Sequence, residues 1–236
     1  TKLKKTNEEK DRFFSIIAHD LKNPFGGVKS IADLLCENWE DFTEEEKKSF
    51  ISDIRESSNL SLNLLNNLLL WARVQTGRME ASPSPVSIRG IAEENAELFR
   101  GAARQKNITI DTRVPEEVEA FADRHMLELV FRNLMSNAVK FTYPDGKIVI
   151  ESELDNHHVT VHVTDNGKGM TEEEVRKALS IGESKSTKGT ADEVGTGLGL
   201  ILCREFIEKN KGRIWVQSSP NEGSTFSFTV PTKGEG

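Results

Sequence analysis

Cysteine is scarce in these 236 residues: Cys36 and Cys203 are the only two, far apart and outside any CxxC spacing. Their scarcity excludes a disulfide framework and a thiolate zinc site, and a reducing compartment is expected. An excess of positive charge is also lacking. The formal net charge is -7 and the pI about 5.4, which argues against a nucleic-acid-binding surface, since such surfaces concentrate Lys and Arg. No apolar run approaches the roughly 20 residues that span a bilayer, and no signal peptide opens the chain. The length itself is sufficient for two compact domains, each with its own core.

From Asn7 to Gly77 a single proline occurs, Pro24, and apolar residues recur at three- and four-residue intervals. This pattern predicts two long helices. The break falls at ENWEDFT (Glu37 to Thr43), where Thr43 and Glu46 form a capping box that starts the second helix. That helix carries Phe50, Ile54, Ser57, Ser61, Leu64, Leu65, Leu68 and Trp71 near a heptad stripe and ends near Gly77. Two amphipathic helices alone leave apolar surface uncovered, so a dimer closing a four-helix bundle is expected. GRMEASPSP (Gly77 to Pro85), rich in proline and small residues, reads as a linker. Beyond it the pattern alternates between helix and strand periods: a helical segment from Ile88 to Lys106, ITIDTRV, a helix from Arg124 to Phe141, and the strands KIVIESEL and HVTVHVTD. A short helix capped by Thr171 and Glu174 comes next, then a helix from Leu198 to Asn210 and the strands RIWVQSS and STFSFTV. The predicted class is α+β: an N-terminal antiparallel helical hairpin followed by an α/β sandwich with helices on one face of a largely antiparallel sheet. The division is expected at residues 1–80 and 81–236.

Five segments carry the chemistry. In HDLKNP, an advance of about 100° per residue sets Ile17, Leu21, Val28 and Leu35 on one seam, with His19, Asn23, Gly26 and Ser30 facing away. A neutral imidazole offers one nucleophilic nitrogen, and the neighbouring Asp20 is suited to hold the other N–H. In NLMSNAVKFT, Asn133, Asn137 and Lys140 recur at i, i+4 and i+7, presenting two amides and an ammonium on one helix face. Amide oxygen is a hard donor that suits Mg²⁺ bridging phosphates. In DNGKGM, Asp165 ends a strand, and Gly167 and Gly169 let backbone approach a flat base. GTGLGL (Gly195 to Leu200) opens a helix whose free N–H groups can hold phosphate. The polar stretch before it reads as a mobile lid that orders when ligand binds. EGSTFSFTVP enters the last strand through Gly223. Taken singly, these segments have plainer readings: a surface histidine, a polar helix face, an Asn-Gly turn, a structural turn.

In this order and spacing the five segments resemble the H, N, G1, G2 and G3 boxes of sensor histidine kinases. The resemblance implies a dimeric phosphoacceptor hairpin joined to a Bergerat-type ATP-binding domain, with ATP and Mg²⁺ as cofactors and a response regulator as partner. It makes His19 the phosphoacceptor, Asp20 its acidic helper and Asn23 the residue of a phosphatase activity toward the regulator. It makes Asn137 the Mg²⁺ ligand, with Asn133 and Lys140 near the phosphates and Asp165 on the adenine amine. Gly167, Gly169, Gly195, Gly197 and Gly199 would shape the nucleotide pocket and lid. Most members carry a phenylalanine-rich box in the lid, whereas LSIGESKSTKGTADE here has no aromatic residue, and Lys185 and Lys188 are the lid cations expected at the γ-phosphate. The charged opening TKLKKTNEEKDRFF is expected to continue a longer helix from an upstream sensor region. His125 sits in the first turn of its helix, and His157, His158 and His162 lie in a hairpin region without the carboxylate pairing of a metal site; no metal role is expected of them. Of two rivals, an ATP-driven conformational machine would lack HDLKNP, which decides against it, and a non-catalytic signalling scaffold is left room only by the lid.

Overall fold

The computed structural model describes residues 21–180, 189–191, 193 and 197–233. His19, Asp20, Gly195, Lys185 and Lys188 lie outside the described residues, as does most of the stretch read as a lid.

Helix α1 covers 21–37, a short 3-10 turn (Trp39–Asp41) follows, and helix α2 (Glu44–Gln75) folds back. The expected capping box starts α2: the Thr43 hydroxyl accepts from the Glu46 N–H at 3.2 Å, and the Glu46 carboxylate accepts from the Thr43 N–H at 2.8 Å. Aromatic contacts close the bend. The Lys47 ammonium sits 4.6 Å from the Trp39 ring centroid, and Phe42 meets Phe50 edge-on at 5.1 Å. Leu21, Val28 and Leu35 turn inward on α1, while Asn23, Gly26 and Ser30 are exposed. On α2 the inward line runs through Phe50, Ile54, Ser57, Ser61, Leu64, Leu68 and Trp71. Leu65 departs from its expected place: it is 41% exposed and belongs to a second apolar stripe with Ile51, Leu62 and Leu69. The reason is the turn of about 100° per residue, which keeps Leu64 and Leu65 from sharing one seam.

The rest of the chain builds the α/β layers. In order these are β1 (Ser84–Ser87), α3 (Ile88–Gln105), β2 (Thr109–Arg113), β3 (Glu119–Ala122), α4 (Arg124–Phe141), β4 (Lys147–Leu154) and β5 (His158–Asp165). There follow α5 (Glu172–Ala178), α6 (Gly199–Lys209), β6 (Ile214–Ser219) and β7 (Gly223–Pro231). Five strands form one sheet in the order β2-β4-β5-β7-β6, with β2 parallel to β4 and the other pairs antiparallel. Its strands alternate as a half-covered sheet must. Val159, Val161 and Val163 of β5 and Phe226, Phe228 and Val230 of β7 are buried, with Ile148 and Ile150 of β4 beside them. Onto them α4 buries Met126, Leu127, Val130, Phe131, Leu134, Met135, Ala138 and Val139. Phe131 meets Phe228 edge-on at 5.5 Å.

The linker reading needs one correction. Ser84 to Ser87 is a strand, paired antiparallel with β3 in a separate two-stranded sheet, with Pro85 opposite Phe121. Neither strand is visible in the sequence pattern. Each has four residues, β1 contains proline and β3 contains two alanines, all weak strand signals. The hairpin meets these layers through the end of α2: Trp71 and Val74 are buried, and the Gln75 amide donates to Glu205 of α6 at 3.1 Å.

Candidate nucleotide site

The site is organised along α4. Asp123 caps its start by accepting from the Met126 N–H at 3.0 Å, and the Asp123 N–H donates to Asn210, at the end of α6, at 2.7 Å. Asn133, Asn137 and Lys140 are all half-buried on one rim of the helix, as the i, i+4, i+7 spacing predicts. The Asn133 amide N–H₂ donates to the Leu129 carbonyl at 2.8 Å, which leaves its Oδ1 turned to Gly199. A methyl group on the Gly199 Cα would stand 2.4 Å from that oxygen, so any larger residue at the first turn of α6 would displace the Asn133 amide.

Asp165 ends β5 and is 5% exposed. Its Oδ1 accepts from the Gly167 N–H at 2.9 Å, and a second bond comes from the Ser224 N–H. Burial pushes its carboxyl up to about 6, and those two bonds pull only partly against it. The turn that follows is packed onto the end of α4: the Lys168 N–H donates to the Phe141 carbonyl at 3.0 Å. Gly169 and Gly197 adopt positive φ, 64° and 68°. Two cations share the Phe141 ring, with the Lys140 ammonium 4.7 Å and the Lys168 ammonium 4.6 Å from its centroid. Burial lowers the Lys140 ammonium to about 8; Glu193 opposes the shift and Lys168 adds to it. The fold therefore sets Asn133, Asn137 and Lys140 on one rim of α4, with Gly199 against Asn133, Gly167 against the Phe141 carbonyl and Asp165 bonded to Gly167; Gly169 packs against Ser219 and Gly223 instead, and Gly197 leads into α6. Asn23 stands apart on the exposed face of α1.

Sequence reasoning missed Lys106 and Lys168. Lys106 Nζ reaches the last turn of α4 from the end of α3, across 33 and 34 residues, and no local pattern announces such a contact. Among the described residues no group of three or more His, Cys, Asp or Glu could hold a metal, and no helix is long and apolar enough to cross a membrane.

Residues 122–234 match the family described as histidine kinase-, DNA gyrase B- and HSP90-like ATPase. Residues 9–77 match the His Kinase A (phospho-acceptor) domain. The chain is 30% identical over 97% of its length to the adaptive-response sensory kinase SasA of Synechocystis, of which it covers 63%. It is 27% identical over 98% of its length to the non-motile and phage-resistance protein of Caulobacter vibrioides, covering 28% of that protein. It thus spans between about a quarter and two thirds of these relatives. Two solved structures match nearly the whole chain. Full-length ShkA in complex with AMPPNP matches with a TM-score of 0.65 and 26% identity, over 96% of this chain and 47% of that one. The histidine kinase ThkA in complex with the response regulator TrrA matches with a TM-score of 0.69 and 23% identity, over 99% of this chain and 67% of that one, and supports the fold. A match to the phospho-acceptor domain over the hairpin and to the ATPase family over the sandwich, together with the kinase relatives, leads to one conclusion: the chain belongs to the sensor histidine kinases and carries their catalytic core.

Proposed function

We propose that the chain phosphorylates its own His19 with Mg-ATP and passes the phosphoryl group to an aspartate of a response regulator. The work is divided between a dimerisation and phosphotransfer hairpin over 1–80 and a catalytic ATP-binding domain over 81–236. One juxtaposition carries the reading: along α4, buried Asp165 with its glycine turn stands by Phe141, and the opening turn of α6 lies against Asn133.

In this reading Asp165 accepts from the exocyclic amine of adenine, while Gly167 and Gly169 admit the base. Asn133 and Lys140 meet the phosphates, with Gly197 and Gly199 at the start of α6, where free N–H groups favour anions, and Gly195 is assigned to the same role by its place in GTGLGL. Asn137 would hold Mg²⁺. Its amide oxygen, half-buried on the α4 rim, is a hard donor of the kind such an ion takes beside phosphate and water. Bound there, the ion would supply charge neutralisation. The imidazole nitrogen of His19 forms the new N–P bond as the bond from the γ-phosphorus to ADP breaks. Asp20 holds the other ring N–H and favours its departing proton. ATP as donor puts the domain in the cytoplasm.

Two partners follow. The exposed stripe of Ile51, Leu62, Leu65 and Leu69 is the surface that a second copy would cover. The exposed face of α1 would receive the response regulator, the kind of partner that ThkA has in the complex it resembles. Asn23, exposed on that face, would orient water for attack on the regulator's acyl phosphate, which gives a phosphatase as well as a kinase.

Incubation with γ-labelled ATP tests the first claim. The label should be acid-labile and base-stable, and His19→Ala should abolish it without changing ATP affinity; label retained on that variant would overturn the assignment. Asn23→Ala should still autophosphorylate while loss of label from the phosphorylated regulator slows. Equal losses in both assays would make Asn23 structural.

A further inference from the structure

The C-terminal end of α4 is the negative end of its dipole, and its last carbonyls have no partner within the helix. Here they are taken up from outside. The Ala138 carbonyl accepts from the Thr142 N–H at 3.0 Å and its hydroxyl at 2.6 Å, and the Phe141 carbonyl accepts from the Lys168 N–H at 3.0 Å. The remaining two go to Lys106, whose ammonium donates to the Val139 carbonyl at 3.0 Å and the Lys140 carbonyl at 3.1 Å. Its three N–H groups are shared with two further acceptors, Thr190 Oγ1 at 2.7 Å and Glu193 Oε1 at 2.6 Å, both between α5 and α6 in the chain. Thr190 doubles the attachment. Its N–H donates to the Lys140 carbonyl at 3.0 Å, and its hydroxyl lies 2.7 Å from the Thr142 carbonyl and 3.1 Å from that of Lys140.

The segment is shaped for this contact. The Gly189 N–H donates to the Glu193 carbonyl at 2.9 Å, and Glu193 Oε2 accepts from the Ala191 N–H at 2.8 Å. A methyl group at Gly189 would stand 2.2 Å from Glu193 Oε2 and 2.6 Å from Lys140 Cγ, so the turn has room only for glycine. The Lys106 side chain is 11% exposed and that of Glu193 35%. Burial raises the Glu193 carboxyl, but its hydrogen bonds, that from Lys106 foremost, outweigh burial and hold it below the usual range.

We propose that Lys106 is a positioning residue for nucleotide turnover: it clamps Thr190 and Glu193 onto the end of α4 and thereby sets the position of Lys140. This rests on the reading that nucleotide phosphates lie along α4. The clamp gives a stretch without aromatic residues a polar attachment. It also keeps a carboxylate facing Lys140 against the opposing Lys168, and so favours the charged ammonium that meets phosphate.

Autophosphorylation kinetics and calorimetric ATP titrations of Lys106→Gln, Glu193→Gln and their double variant test the clamp. Each single change should raise the KM for ATP by roughly tenfold, the scale of one charge-assisted hydrogen bond, with a smaller effect on kcat. The double variant should be little worse than either single one, because both remove the same contact. In Glu193→Gln the loss of ATP affinity with rising pH should begin at lower pH than in the parent, since Lys140 loses its facing carboxylate; a merely structural residue would not move that profile. Should Lys106→Gln fail to fold, Thr190→Val and Glu193→Gln probe the clamp from its more exposed side. Unchanged KM in all variants, or losses that multiply in the double variant, would overturn the clamp. A parent chain that binds no ATP would instead overturn the nucleotide site itself.

Discussion

The two helices α2 and α4 make opposite use of their residues. Over 32 residues α2 buries Lys47, Ser61, Leu64, Trp71 and Val74, two of them polar, whereas α4 buries eight apolar side chains in 18 residues. Helix α4 has a complete environment of sheet and flanking helices, with the Asp123 carboxylate accepting at its start and borrowed donors at its end. Helix α2 instead leaves Ile51 53%, Leu62 57%, Leu65 41% and Leu69 52% exposed. A stripe of that regularity is costly in water and calls for a second surface. The hairpin is therefore half of a core, and the sandwich is a whole one that spends its stability on a charged site.

The largest effect should come from breaking the hairpin's side of this contrast. Leu65→Glu with Leu69→Glu would put four carboxylates into a dimer seam where four leucines stood. At about 1.5–3 kcal/mol for each leucine buried, the dissociation constant should rise at least roughly a thousandfold, read by analytical ultracentrifugation. ATP affinity should stay at the parent value, because the sandwich has its own core. A variant that remains dimeric would move the dimer surface elsewhere, and one that loses ATP binding would deny the independence of the two regions.

Asn137→Ala sharpens the other side. The residue is half-buried on the α4 rim and contributes nothing to the core beneath it. Removing its amide oxygen should lower the Mg-ATP-dependent rate by about a hundredfold, the scale of losing a fixed cation's several kcal/mol at the phosphates. The melting temperature should change little. A rate within threefold of the parent would remove Asn137 from the cation's ligands.

The same contrast explains what was legible in the sequence. Helix α4, β4, β5 and both capping boxes follow the predicted bounds, because each is specified by contacts three or four residues apart or by strict alternation. The rim of Asn133, Asn137 and Lys140 was legible for the same reason. Leu65 was misassigned because a 3.5-residue repeat on a 3.6-residue helix leaves neighbouring positions ambiguous until the partner helix is known. Strands β1 and β3 are too short to carry a period, and pair across a gap that holds α3 and β2. Lys106 was out of reach altogether: its role consists of acceptors on α4 and on Thr190 and Glu193, which only the fold brings to it.

The smallest effect tests whether the sandwich does pay for its site. Asp165 is 5% exposed, and burial holds its carboxyl at about 6 against an ordinary 3.8. The sign follows from proton counting. Between about pH 4 and pH 6 the folded chain keeps a proton that the unfolded chain has released, so this group's contribution to stability falls as pH rises through that window. Above it the ionised carboxylate is a standing cost, tolerated because an anionic acceptor serves the adenine amine better than a neutral one. Asp165→Asn should remove the cost while its oxygen still accepts from the Gly167 N–H. At pH 8 the nucleotide-free variant should then melt about 2–4 °C higher, the shift that roughly 1 kcal/mol gives in a chain of this size, while ATP binds roughly tenfold more weakly. Near pH 5 the two chains should melt alike, and the affinity gap between them should narrow as pH falls through about 6. Because the nucleotide's own phosphates titrate nearby, the telling measure is the difference between variant and parent at each pH. A variant that melts lower at pH 8 and binds ATP as tightly as the parent would make Asp165 an ordinary structural carboxylate, and the contrast between a costly sandwich and an incomplete hairpin would lose its energetic half.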